Sequence, residues 1–227
     1  MKYKNREIKI TCDGGASTGK STGGKLIAKK YKLAFLSSGL LYRYASYLII
    51  KNKPKRKIFF LRKKFKDLNY KKLNNINLHT PEISLYASKI AKLGSVRNIL
   101  KKYQINFIKK NKGCVLEGRD ASTKILPNSD VKFFFICDLN TAAIRRYKEL
   151  RKSVKEINIK EVKKALYNRN FIDSTRKISP LQKHPDAVVV NSGKLDKKAM
   201  VAKMSKHVEK ILKTKYENRN WTRIKKY

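Results

Sequence analysis

Short apolar runs separated by longer stretches of helical periodicity set the rhythm of this chain. Five of the runs, Ile8–Cys12, Leu33–Leu36, Cys114–Glu117, Val131–Cys137 and Ala187–Val190, have the length and composition of buried strands. Buried strands alternating with helices predict a parallel sheet covered on both faces, an α/β architecture whose ligands bind beyond the carboxyl ends of the strands. Lys20 to Tyr31 reads as the helix after the first strand, although Gly23 and Gly24 inside it each cost about 1 kcal/mol relative to alanine, which close packing on the sheet could offset. Ile83, Tyr86, Ala87, Ile90, Ala91 and Leu93 recur at helical spacing, with Gly94 as the stop. Ser95 is the expected cap of a following helix striped by Val96, Ile99, Leu100, Tyr103 and Phe107. Asp196 is placed to cap a helix whose core face is Met200, Met204, Val208 and Ile211. Lys51 to Asn77, dense in Lys and Asn, reads as an inserted mobile segment or a plain surface hairpin. The basic stretch past Lys213 reads as a frayed tail.

At 227 residues the chain suits one domain, or one domain with an inserted subdomain. No apolar run approaches the roughly 18 residues of a membrane span, and the amino terminus carries no apolar leader, so a cytoplasmic protein is expected. Cys12, Cys114 and Cys137 sit in predicted strands as reduced, buried thiols. The scattered His79, His184 and His207 offer no zinc set. The charge is extreme, with 57 Lys and Arg against 16 Asp and Glu, a net +41. A basic surface attracts phosphate chains, but these lysines run along the whole chain as they would in a proteome drifted toward Lys, Asn and Ile. No specific nucleic-acid partner is therefore expected, only salt-sensitive non-specific binding.

The candidate chemistry starts after the first strand. Gly14, Gly15, Ala16, Ser17, Thr18, Gly19, Lys20 and Ser21 match G-x-x-x-x-G-K-[ST] in full. Such a loop turns its backbone N–H groups onto phosphate oxygens, adds a lysine charge for the β- and γ-phosphates and offers the Ser21 hydroxyl to Mg²⁺. Its context of strand, loop and helix aims a helix amino terminus at the anion. Elsewhere, arginines fall at strand ends or in distinctive strings: Arg43, Arg119 beside Asp120, Arg145 with Arg146, and Arg169 and Arg176 flanking Asp173. A guanidinium grips phosphate oxygens in pairs and keeps its charge, so this many forks suggest two phosphate groups to hold.

With those residues in place the chain resembles the bacterial cytidylate kinases from about residue 8 to 212. The matching strings are Asp13-Gly14 with Gly19-Lys20-Ser21-Thr22, Ser38-Gly39-Leu40-Leu41-Tyr42-Arg43, Ala87 to Ala91 leading to Val96-Arg97, Glu117-Gly118-Arg119-Asp120 with Thr123 and Pro127, Arg145-Arg146-Tyr147, Arg169 to Arg176 with Pro180-Leu181, and Asp186-Ala187. The resemblance implies a three-layer P-loop fold with a five-stranded parallel sheet. It implies one kinase domain containing a nucleoside-monophosphate-binding insertion over 38–112 and a short lid over 147–168, with 213–227 as a basic tail. It implies transfer of the γ-phosphate of ATP, with Mg²⁺, to CMP or dCMP in a monomeric enzyme. Residues Gly14 to Thr22 would bind ATP. Arg43, Arg119 and Arg176 would bind the acceptor phosphate, beside Ser38. Ser88, Arg97 and Asp120 would read the cytosine edge, and Arg169 and Asp173 would lie near the sugar. Arg145 and Arg146 would belong to the lid, and Lys20, Arg119, Arg145 and Arg169 would be catalytic.

Cytosine suits that set: a carboxylate accepts from its exocyclic amine and an arginine donates to its acceptors, whereas uracil sets a carbonyl opposite Asp120. The departures are Ser37 where the family usually has Asp, Ser122 for Gly, Asn170 for Asp, and the absence of a proline near Leu93-Gly94-Ser95. Other readings are a different P-loop small-molecule kinase such as an adenylate or shikimate kinase, a basic nucleic-acid-binding P-loop ATPase, or a degenerate kinase retained as a scaffold.

Overall fold

The computed structural model describes residues 7–152 and 156–224. Its centre is a five-stranded, all-parallel sheet in the order β2-β3-β1-β4-β5, built from β1 (Lys9–Gly14), β2 (Ala34–Ser37), β3 (Cys114–Gly118), β4 (Val131–Ile136) and β5 (Val188–Asn191). β1 lies between β3 and β4, with Cys12 opposite Glu117 on one side and Phe133 on the other.

Strand alternation sorts the side chains into separate cores. From β3, Val115 joins Ile8, Ile10, Cys12, Phe133 and Phe135 under two helices, α1 (Lys20–Tyr31) and α8 (Lys197–Ile224), the latter through Met200, Met204, Val208 and Leu212. Cys114 and Leu116 point the other way, into a core shared with α2 (Ser38–Asn52), α3 (Lys57–Lys66) and α5 (Gly94–Lys110). A third, smaller cluster joins Ala16 of the loop after β1 to α6 (Leu139–Leu150) and α7 (Ile159–Thr175).

The two glycines inside α1 have a packing reason. A Cβ on Gly23 would come within 2.7 Å of the Phe135 ring, and one on Gly24 within 3.0 Å of Phe35, so the helix rests directly on the sheet. Asp196 caps α8 as expected, accepting from Ala199 N at 2.7 Å.

Several expectations need correction. Lys51 to Asn77 is neither a hairpin nor a loose segment: it holds α3 and a 3₁₀ turn (Tyr70–Asn75), and Leu61, Phe65 and Leu73 are buried, as is Leu78 just beyond it. Four apolar residues at irregular spacing among lysines carried too little periodicity to show this. Gly94 opens α5 rather than closing α4 (Pro81–Ile90), and Leu93 takes the cap position assigned to Ser95. β4 stops at Ile136, which leaves Cys137 half-buried beyond the strand. The stretch past Lys213 continues α8 as far as Ile224, where an apolar stripe no longer marks the helix. Cys12, Cys114 and Cys137 are all free thiols. Among the described residues no helix is long and apolar enough to cross a membrane.

Candidate active site

The loop from β1 to α1 curls at the carboxyl edge of the sheet. Gly14 takes φ +150, and a Cβ there would strike the Phe135 carbonyl oxygen at 2.4 Å; Gly19 takes φ +78 at the head of α1. No side chain caps that head, so the first-turn amides stay available to an anion. The loop is braced from within by Thr18 Oγ1 donating to Gly15 O at 3.0 Å, and from α7 by Asn170 Oδ1 accepting from Ala16 N at 2.8 Å. Lys20 folds back over it: its ammonium donates to Gly15 O at 2.8 Å and lies 3.6 Å from the Glu117 carboxylate. Burial, reinforced by the Arg119 guanidinium and only partly offset by Glu117, lowers Lys20 to about 7.

Around that ammonium the guanidiniums crowd without enough anions to match them. The Nε atoms of Arg43 and Arg169 are buried with no hydrogen-bond partner. Burial, then repulsion from neighbouring arginines, brings Arg43 down to about 10 and Arg169 to about 9, so both stay charged at neutral pH. Asp173 on α7 clamps two more, accepting from Arg119 Nε at 2.9 Å and from an Arg176 amino group at 3.3 Å. Burial alone would raise the Asp173 carboxyl; Arg119, Arg169 and Arg176 outweigh it and hold it below the usual range. A buried concentration of unpaired cationic donors is a site built for phosphate.

The cavities divide these residues. One cleft of about 610 Å³ is lined by Ala16, Ser17, Thr18, Gly19, Lys20, Ser21 and Thr22, together with Arg43, Arg119, Arg145 and Arg169. It extends past Ser192 to Leu195, Lys197 and Met200, which no motif had marked. A smaller cavity of about 40 Å³ is lined by Ser38, Ser88, Arg119, Asp120, Arg169, Asp173 and Arg176. Arg119 and Arg169 line both. Of the expected residues, Gly14, Gly15 and Arg97 reach neither wall. Arg97 lies buried behind the smaller cavity, ion-paired with Asp120 and donating to Ala91 O at 3.1 Å, so it holds the Asp120 carboxylate in place.

The sequence departures have structural partners. Ser37 caps α2 and hydrogen-bonds Glu117 of β3, whose carboxylate stands beside Lys20. Burial would raise the Glu117 carboxyl, but Lys20, Ser37, Arg119 and Arg43 together keep it low. Ser122 does not crowd its turn: its backbone N (2.7 Å) and hydroxyl (2.6 Å) both donate to Asp13 Oδ2, alongside Ala121 N to Oδ1 at 2.8 Å. That ties the π-turn (Ala121–Ile125), and with it the adjacent Arg119-Asp120, to the end of β1. Even with those donors, burial raises Asp13 to about 6. Asn170 is the brace on Ala16 described above.

Arg145 and Arg146, neighbours on α6, point in different directions as successive helical residues must. Arg145 donates to the Ser192 hydroxyl at 2.9 Å and carbonyl at 2.7 Å, and the Ser192 hydroxyl donates to Thr18 O at 2.7 Å; the guanidinium thus borders the phosphate loop from the end of β5. Arg146 reaches the other wall, pairing with Glu149 at 2.8 Å and donating to His79 O at 3.0 Å. The lid range 147–168 covers the end of α6, the connection and the first half of α7; residues 153–155 lie outside the described part.

Among the described residues no group of His, Cys, Asp and Glu could hold a metal unaided. Ser21 lines the cleft beside the phosphate loop, with the Glu117 carboxylate on the same wall. Such a sparse set of oxygen donors fits Mg²⁺ that takes most of its ligands from nucleotide phosphates and water.

A family profile described as cytidylate kinase matches residues 10–210. A cytidylate kinase of Thermosipho melanesiensis is 35% identical over 215 residues, covering 90% of this chain and 98% of that protein. One from Fusobacterium nucleatum is also 35% identical, with the same coverage. Among solved structures, an uncharacterized protein from Eubacterium ventriosum superposes with a TM-score of 0.52 at 13% identity, covering 90% of this chain and 99% of that one, a likeness of fold alone.

Proposed function

We propose, from the premise that this chain belongs to the cytidylate kinase family and is a nucleoside monophosphate kinase, that it transfers the γ-phosphate of ATP to CMP or dCMP in the cytoplasm, giving ADP and CDP or dCDP. The observation that carries this is the position of Arg119 and Arg169 on the walls of both cavities. A large cleft built on a phosphate loop meets a small one floored by Asp120 and Ser88, and the same two guanidiniums serve both.

The chemistry asks little beyond placement. The acceptor is already a phosphate oxyanion, so no general base is needed, and catalysis reduces to positioning and charge neutralisation. The loop amides and Lys20 hold the ATP phosphates. Arg43, Arg119 and Arg176 bring the acceptor phosphate into line against the repulsion of two anions. Arg145 and Arg169 stabilise charge spread over the transferring group. The Ser21 hydroxyl would hold Mg²⁺, which would supply further charge neutralisation. Asp120, fixed by Arg97, accepts from the cytosine amine, and Ser88 stands beside it; a uracil carbonyl in that position meets an anion. Closure of the α6–α7 side over the cleft excludes water and limits wasteful hydrolysis.

The test is ADP release measured with CMP, dCMP, UMP and AMP in turn. CMP and dCMP are expected to be turned over well above the other two. Equal turnover of all four removes the base-reading role of Asp120.

A further inference from the structure

Acids are not spread evenly along the chain. Residues 38–112 contain 20 Lys and Arg against two acids, Asp67 and Glu82. Within this part a groove of about 530 Å³ runs between α3 and α5, and it shares no residue with either nucleotide cavity. One side of it is a ridge of α5 in which Asn98, Lys102, Asn106 and Lys110 repeat every four residues, all exposed. At 1.5 Å of rise per residue that ridge presents alternating amide and ammonium heads at steps of about 6 Å. Arg62 and Lys66 of α3, also four apart, complete the rim. No carboxylate lines the groove, although Asp67 follows Lys66 at its edge, and among the described residues none of these four cations is in an ion pair with an acid. The floor is apolar. Phe65 and Tyr103 meet edge to face at 6.2 Å, and the Tyr103 hydroxyl donates to Leu68 O at 3.1 Å, which ties α5 to the chain leaving α3.

We propose that this groove binds single-stranded nucleic acid, with phosphates on the cationic rim and bases against the apolar floor. A basic rim alone suits any polyanion. The floor favours a single strand, because a duplex hides its base faces and presents only phosphate, whereas an unpaired base gains by leaving water at an apolar surface. The amides of Asn98 and Asn106, alternating with the charges along the ridge, can donate to phosphate or to base edges. The non-specific binding expected of a +41 protein thereby acquires one location, away from the chemistry.

Fluorescence anisotropy with a short labelled oligouridylate and its deoxythymidylate counterpart tests this over a range of salt. Reversing two charges in the groove, Lys102→Glu with Lys110→Glu, is expected to lower the slope of log affinity against log salt by about 1.4 and to weaken binding at 0.1 M salt by about 20-fold. The neutral pair Lys102→Ser with Lys110→Ser should give a loss of similar slope, and thermal melting reports that either variant is folded. The matched reversal on α8, Lys206→Glu with Lys210→Glu, carries the same change in net charge at exposed sites remote from the groove. It should cost under about threefold, since a surface charge beyond the Debye length is screened. Equal losses from the two reversals, or a duplex bound as tightly as either single strand, would overturn the proposal.

Discussion

Lys20 shows how much a single residue depends on its surroundings. A lysine after G-x-x-x-x-G is read from sequence as a positive charge, yet here burial and the Arg119 guanidinium bring it to about 7. Bound ATP phosphates favour the ammonium. Below pH 7 the free protein already carries that charge; above it, binding must draw in a proton, and affinity falls by up to about tenfold per pH unit. Calorimetric titration with ATP at pH 8, in two buffers of different ionisation enthalpy, should therefore show proton uptake, and heats independent of the buffer would contradict this account of Lys20. Folding follows the same linkage: the native state binds fewer protons than the unfolded chain between pH 7 and 10.5, so the unfavourable contribution of Lys20 to stability is full below pH 7 and is relieved as pH rises through that window. The departures Ser37, Ser122 and Asn170 make a similar point, since each is hydrogen-bonded to a residue distant in sequence at or beside the phosphate loop: Glu117, Asp13 and Ala16 respectively.

At the level of elements, the strands and the helices after β1 and before the carboxyl terminus were legible because each pairs an apolar pattern with a recognisable cap or loop. The stretch between α2 and α4 was not. Its core residues, Leu61, Phe65, Leu73 and Leu78, lie in a surplus of lysines that hides their periodicity, and they declare themselves only when packed on α2 and α5. Leu61 is fully buried. Leu61→Ala should accordingly cost about 2–5 kcal/mol in urea unfolding. A loss under about 1 kcal/mol would return α3 to the mobile segment that its composition suggests. The limits of α4 and α5 were misplaced for a related reason: glycine ends helices more often than it begins them, but here the chain turns at Leu93 and Gly94 opens the next helix.

For the whole molecule the dominant quantity is the net charge of +41. Like charges at this density repel one another and weigh against the compact state. Thermal stability should therefore rise as salt increases from about 0.01 M to about 1 M, over which the screening length shrinks from about 30 Å to about 3 Å. A melting temperature indifferent to salt would mean that the charges are already compensated by pairs within the fold. What the amino-acid order determined by itself was the local part: the phosphate loop, the strands, the Asp196 cap, and the strings of arginine with acid that mark a family. Those depend on neighbours a few residues apart, where spacing alone dictates geometry. Tertiary structure alone decided which guanidiniums share a wall, that Arg97 stands behind Asp120, that Glu117 supplies the carboxylate at Lys20, and that Arg62 and Lys66 of α3 face one groove with Lys102 and Lys110 of α5. Each of these joins segments tens of residues apart, and the packing that brings them together is a property of the assembled sheet and its helices, absent from any one stretch of chain.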